Sequence, residues 1–293
     1  MNKGIQNSEL IINDDCSIFH LHLLPNELAD TIILVGDPDR VDVISKYLDS
    51  IEVQKCNREF KTITGSINSK RISIVSTGIG TDNIDIVVNE LDALANIDFN
   101  TRLPKDKIKS LNLIRIGTSG SIQEDIPVDS FVLTTKSIGF DGMLNFYAQR
   151  DSVSDINFEK TFMEKTSWNK QLAHPYIVSA SEKLISLFND ESTVKGVTIS
   201  ANGFYGPQGR VLRLPLQDAN LNKKIEDFRY KDLKITNYEM ESSAIAGLSA
   251  LMGHNAITIC AIIANRVTGN ASPDYHKTMD SLIKYTLNKI SNL

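Results

Sequence analysis

Thr31-Ile32-Ile33-Leu34-Val35 is a short apolar run of strand length, and it stops at Gly36-Asp37-Pro38-Asp39-Arg40, where a helical spacing takes over. Glu59 to Ile67 alternates in part, Asn68-Ser69 supplies turn residues, and Arg71-Ile72-Ser73-Ile74-Val75-Ser76 is a second β run, so a hairpin is expected. A helix follows from about Thr81 to Ala95. Asn112 to Ile116 reads as a strand that ends in Gly117-Thr118-Ser119-Gly120, and Ser130 to Thr135 as another.

The second half repeats the alternation. A helix is expected around Ser181 to Phe188, a strand over Gly196 to Ala201, and a helix around Leu221 to Tyr230. Ser242 to Met252 places Ala244, Leu248 and Leu251 on one helical face, and Ala256 to Ile263 is a fully apolar strand apart from Thr258. Met279, Leu282, Ile283 and Ile290 give a last helix its docking face. Helices and hairpins alternating with strands predict a single-domain α/β/α sandwich, a central mixed β-sheet flanked by helices. Residues 1–293 read as one domain with 1–17 as an N-terminal extension, and the polar insertion Thr101 to Lys107 reads as a surface loop.

Composition narrows the function. With 41% hydrophobic residues the chain can bury a full core, and a formal net charge of −5 with no basic, aromatic-interleaved run argues against a nucleic-acid surface. No signal-peptide pattern or membrane-length apolar run is present, so a cytoplasmic protein with no membrane partner is expected. Cys16, Cys56 and Cys260 form no C-x-x-C pair, which predicts buried free thiols rather than a disulfide framework or a zinc site.

The candidate chemistry sits at strand ends. Gly36, the helix start after it and Arg40 can grip an anion, and Arg115 and Thr118 are expected where Arg40 points, so together they could cradle a tetrahedral oxyanion. A capped helix is the plainer reading of Gly36 to Arg40 taken alone. Gly78-Ile79-Gly80 lacks the third glycine of a dinucleotide fingerprint, since Asn83 stands there, and no P-loop lysine follows. His20 and His22 would share a face on a strand, as a metal pair can, but His174, His254 and His276 complete no ligand set, and no metal is expected.

Gly36 to Arg40, Arg58-Glu59-Phe60, Ser76-Thr77-Gly78-Ile79-Gly80, Arg115 to Gly120 and Asn237-Tyr238-Glu239-Met240-Glu241-Ser242 occur in the order and approximate spacing of the nucleoside phosphorylase superfamily. Over roughly residues 19 to 290 the chain resembles that superfamily, and within it the uridine phosphorylases. The resemblance implies reversible phosphorolysis of uridine to uracil and α-ribose 1-phosphate. Phosphate would be held by Gly36, Arg40, Arg115 and Thr118, with Arg58 arriving from a neighbouring subunit. Ribose would meet Glu239, Met240 and Glu241, and His20 of a neighbour would touch the 5′-hydroxyl. A carboxylate suits vicinal hydroxyls and a methionine makes a soft floor under a sugar. Without the resemblance, Arg58 would pass for a surface ion pair and the two glutamates for an acidic helix start.

Phe204-Tyr205-Gly206-Pro207-Gln208-Gly209-Arg210 bears on the base, because an amide and a guanidinium can satisfy the O2–N3–O4 edge of uracil while Phe204 stacks on the ring. The resemblance assigns Gln208 and Arg210 to that edge and adds Arg266. Purine-directed relatives carry an aspartate where Asn265 stands here. Arg40, Arg115, Gln208, Arg210 and Glu241 are thus the expected catalytic set. No organic cofactor is implied, phosphate being a co-substrate. Some relatives hold an alkali ion with the glutamate corresponding to Glu59 and a serine, and Asn83 in the serine position argues against potassium. Composite sites imply a homo-oligomer, a dimer or a hexamer of dimers. A hydrolytic nucleosidase, another nucleoside phosphorylase and a non-catalytic nucleoside-binding protein are the alternatives.

Overall fold

A computed structural model describes residues 3–293. In chain order the elements are β1 (Thr31–Val35), α1 (Pro38–Ser45), β2 (Ser50–Asn57), β3 (Phe60–Ile67), β4 (Lys70–Ser76), α2 (Thr81–Asn96), β5 (Ile97–Asp98), β6 (Leu103–Pro104), β7 (Asn112–Ser121), β8 (Phe131–Gly139) and α3 (Ile156–Thr166). They continue with β9 (Tyr176–Ser179), α4 (Glu182–Phe188), β10 (Thr193–Ser200), α5 (Leu221–Asp227), β11 (Arg229–Tyr230), β12 (Leu233–Glu239), α6 (Ser242–Met252), β13 (Asn255–Asn265) and α7 (Tyr275–Ile290).

Eleven strands form one mixed sheet; β5 and β6 make a separate two-stranded ribbon. Strand β1 lies between β4 and β7, parallel to both, and the hairpin strands β3 and β2 extend that edge antiparallel. The other end closes on itself. Strand β7 pairs with β13, β13 with β8, β8 with β10, β10 with β12, and β12 returns to β7 through Asn237 opposite Ser121 and Tyr238 opposite Gly120. Bulges in β10 and between Ile262 and Ala264 of β13 supply the bend that this closure needs.

Apolar side chains of the sheet are covered on both faces. Leu34, Val75 and Leu113 pack with α2 and α6 on one side, whereas Ile33, Ile74, Ile114 and Ile257 pack with α1, α4 and α7 on the other. The predicted sandwich, hairpin and terminal helix are therefore present, with Asn68 and Ser69 both left-handed at the hairpin turn (φ 47° and 63°).

Several expectations are corrected. Gly117-Thr118-Ser119-Gly120 is not a loop after a strand but the second half of β7, because these small residues pair with Cys260 to Ala264 of β13. The helix from Leu221 ends at Asp227, and Arg229-Tyr230 turns back as β11 against β12. Cys16 and Cys56 are exposed; only Cys260 is buried. Thr101 to Lys107 is more than a surface loop, since Arg102 donates to the carbonyls of Ile5, Gln6 and Leu10 and so fastens the N-terminal segment.

Candidate active site

The carboxyl ends of β1, β4, β7, β12 and β13 surround a cavity of about 830 Å³. Its walls include Gly36, Arg40, Arg115, Thr118, Phe204, Gln208, Arg210, Glu239, Met240 and Glu241, ten of the thirteen predicted site residues.

At one end β1 runs out at Gly36. Asp37 caps α1 by accepting the Asp39 N–H at 2.9 Å, and Pro38 sets the first helical turn, which leaves Arg40 one turn in and half-buried. Among the described residues, no acidic side chain makes an ion pair with Arg40. Burial, helped by the charge of Arg115, lowers its pKa against the pull of Asp37. An arginine held this way is a binding site for an anion.

Arg115 on β7 is buried and lies along its own strand. A Cβ at Gly117 would stand 2.2 Å from its Nη1, so only glycine leaves room for that path. Its Nη2 contacts the Glu241 carboxylate, and Nη1 is 3.5 Å from Glu239. Burial opposes the charge on Arg115, but the two glutamates more than offset it and hold the guanidinium protonated. Glu241 also accepts the Gly80 N–H at 2.8 Å, so it stays tied to the α2 start; burial pushes its carboxyl up while Arg115 pulls it down.

Glu239 is differently placed. It accepts from Ser200 Oγ at 2.6 Å, Ser242 Oγ at 2.7 Å and the N–H groups of Glu241 and Ser242, filling its acceptor positions at the amino end of α6. Both carboxylates line the cavity, Glu239 with its acceptor positions taken up at the α6 start and Glu241 paired with Arg115.

At the opposite end, Phe204 is half exposed and the Arg210 guanidinium lies 3.9 Å from its ring centroid. Arg210 also donates to Gln208 Oε1 and to the Phe204 carbonyl at 2.7 Å. Gln208 is buried, and its carbonyl accepts from Arg266 Nη1 at 2.6 Å and Asn222 Nδ2 at 3.1 Å. Arg266 therefore braces Gln208 from behind instead of lining the cavity.

His20 and Arg58 do not line this cavity either. Arg58 is exposed at the two-residue turn between β2 and β3 with a left-handed φ of 54°. His20 and His22 are not on a strand: Ile18 N–H donates to Leu23 O and His22 N–H to Ile18 O in a tight loop, with His20 bound to Glu90 and His22 to Asp15. Among the described residues no group of three or more His, Cys, Asp or Glu could hold a metal ion.

Sequence reasoning passed over Ile79, Tyr238 and Ile263 as cavity walls, and it gave Glu59 and Asn83 no place in the nucleoside or phosphate site. The dense glycine pattern of Ser76 to Gly80 was the one signal that could have pointed to Ile79.

The sequence pattern of the phosphorylase superfamily matches residues 30–289. The uridine phosphorylase of Haemophilus influenzae is 30% identical over 256 residues, 85% of this chain and 86% of that protein. A DeoD-type purine nucleoside phosphorylase of Alkaliphilus metalliredigens is 28% identical over 92% of this chain and 97% of its own. Among solved structures, a Trypanosoma brucei nucleoside phosphorylase described as showing uridine phosphorylase activity superposes with a TM-score of 0.85 at 28% identity, covering 97% of this chain and all of that one. The chain belongs to the phosphorylase superfamily and is a pentosyl-transferring enzyme of its nucleoside phosphorylase class. Among the described residues no helix is long and apolar enough to cross a membrane.

Proposed function

We propose that this enzyme is a uridine phosphorylase. The observation that carries the reading is the pairing, in one cavity, of an Arg40 that has no acidic partner among the described residues and its neighbour Arg115 with an amide–guanidinium couple, Gln208 and Arg210. Phosphate enters between Arg40, Arg115, Thr118 and the Gly36 backbone, below the ribose. Glu241 accepts the ribose hydroxyls over Met240, and Gln208 with Arg210 takes the uracil edge.

In the reaction a phosphate oxygen forms a bond to C1′ as the C1′–N1 bond breaks, with inversion. The electron pair leaves on uracil, which takes a proton to become neutral. Positioned charge does the work: the arginines hold the nucleophile in line, and Gln208 and Arg210 stabilise negative charge growing on the base. No side chain forms a covalent intermediate, and no organic cofactor or alkali ion is assigned a role.

Asn265 supports the pyrimidine branch. It is buried, donates to the carbonyls of Gln123 and Ile126 and accepts from Val267 and Thr268, so it braces a loop and offers no proton to a purine nitrogen. An exposed Arg58 and a partly exposed His20, both outside the cavity, fit a homo-oligomer in which each copy completes another's site, His20 meeting the 5′-hydroxyl. A role in pyrimidine salvage follows from that substrate. Uridine and inosine offered separately with phosphate test the base assignment: uridine is cleaved and inosine is not, whereas efficient inosine cleavage overturns it.

A further inference from the structure

Glu90 is an acid on α2 that the chemistry above does not use. Its carboxylate accepts four contacts from two successive residues: His20 N–H at 3.0 and 3.1 Å, Leu21 N–H at 2.8 Å and His20 Nδ1 at 2.6 Å. A carboxylate acceptor at Nδ1 requires that nitrogen to carry a proton, and in the neutral imidazole Nε2 is then an acceptor. Nε2 has no partner among the described residues, and the side chain is about a quarter exposed.

The backbone around the ring is fixed from the other side as well. Asn57 Nδ2 donates to His20 O at 2.9 Å, Phe60 meets the imidazole edge-on, and Leu21 and Leu23 are wholly buried in the core. Asn57 immediately precedes Arg58. The loop bearing His20 and the turn bearing Arg58 are therefore fastened together, and neither of these two side chains lines its own chain's cavity. These anchors fix the orientation of a partly exposed imidazole whose Nε2 is free to meet a hydroxyl proton.

We infer that Glu90 is a positioning residue for nucleoside binding, holding His20 as the Nδ1–H tautomer so that Nε2 accepts the 5′-hydroxyl of a nucleoside in another copy of the chain. Asn57 is its second anchor. This inference rests on the uridine phosphorylase reading.

The test compares kcat/KM for uridine and for 5′-deoxyuridine, with phosphate, in the wild type, His20→Ala, Glu90→Ala, Glu90→Gln and Asn57→Ala. The wild type is expected to prefer uridine, and Glu90→Ala to lower the uridine-to-5′-deoxyuridine ratio about tenfold, the value of one well-placed hydrogen bond. Glu90→Gln, which keeps an acceptor for the backbone N–H groups, restores part of the ratio, and the double variant His20→Ala/Glu90→Ala falls no further than His20→Ala. If Glu90→Ala does not fold, Asn57→Ala carries the test with a smaller loss of the same ratio. An anchor that merely stabilises the loop would depress both substrates alike, and that result overturns the inference, as does a wild-type ratio in His20→Ala. Wild-type enzyme that cleaves neither substrate with phosphate present removes the phosphorylase reading and the inference with it; cleavage of both at equal efficiency removes the inference alone.

Discussion

The Arg115 guanidinium and the Glu241 carboxylate are in direct contact with their side chains only 6% and 4% exposed, so the arginine that should hold phosphate and the acid that should hold ribose occupy each other before substrate arrives. Glu239, at 3.5 Å from Arg115, remains as a second counter-charge. A phosphate that draws Arg115 away from this pair would free Glu241 for the sugar hydroxyls, so coupled binding of the two substrates is expected.

Glu241→Gln should expose that competition. With the carboxylate charge gone, Arg115 is easier for phosphate to claim, and thermal unfolding with phosphate alone should show a larger stabilisation than in wild type. A difference of 1 kcal/mol corresponds to roughly 2–4 °C in a chain of this size. The same variant should lose about a hundredfold or more in kcat/KM for uridine. An unchanged or smaller phosphate shift would mean that the pair does not compete with the anion.

Arg40 has no anion of its own among the described residues, so removing it strands nothing inside the protein. Arg40→Ala should raise KM for phosphate by roughly ten- to a hundredfold, as expected for a lost charged hydrogen bond of about 1.5–3 kcal/mol, with little change in melting temperature. Arg40→Lys should recover only part of this, because it keeps the charge without the fork. Steady-state kinetics with phosphate as the varied substrate decide it; an unaffected phosphate KM contradicts the assignment.

Cys260 lies behind Arg115, and burial pushes its thiol up to about 12 despite the guanidinium nearby. Iodoacetamide at pH 8 should therefore modify exposed Cys16 and Cys56 and spare Cys260 until the protein is unfolded. Peptide mass spectrometry checks this, and a Cys260 adduct on native protein would show that the floor of the site opens.

Asp141 accepts from Tyr176, Ser243 and the Met143 N–H, and burial still raises its pKa above the ordinary 3.8. A carboxyl that ionises less readily when folded contributes its full stability below its unfolded pKa and loses it as pH rises through the folded value. Stability attributable to Asp141 should fall above pH ~4 by about 1.4 kcal/mol for each pH unit separating the two values. Urea midpoints from pH 4 to 7 should decline less steeply in Asp141→Asn than in wild type, and parallel declines would contradict the assignment.

Apolar runs made much of this fold legible in the sequence: Thr31 to Val35, the hairpin and Ala256 to Ile263 announce themselves. The closed end of the sheet does not, for a physical reason. Strand β12 carries Thr236 and Asn237, and β7 ends in small polar residues, because these side chains are buried against one another, Asn237 Nδ2 donating to Ser119 Oγ at 2.6 Å. Buried polar pairs across strands read as loop in a single sequence. The cavity set was legible through short motifs at strand ends, whereas the contact of Glu90 with His20, 70 residues away, leaves no local trace.

The most direct test of the account is uracil release from uridine by the purified enzyme with and without inorganic phosphate, with ribose 1-phosphate measured as the second product. Release that depends on phosphate and yields equal uracil and ribose 1-phosphate is expected. Uracil formed at the same rate without phosphate, with free ribose as its companion, would make the enzyme a hydrolase and contradict the role given to Arg40 and Arg115.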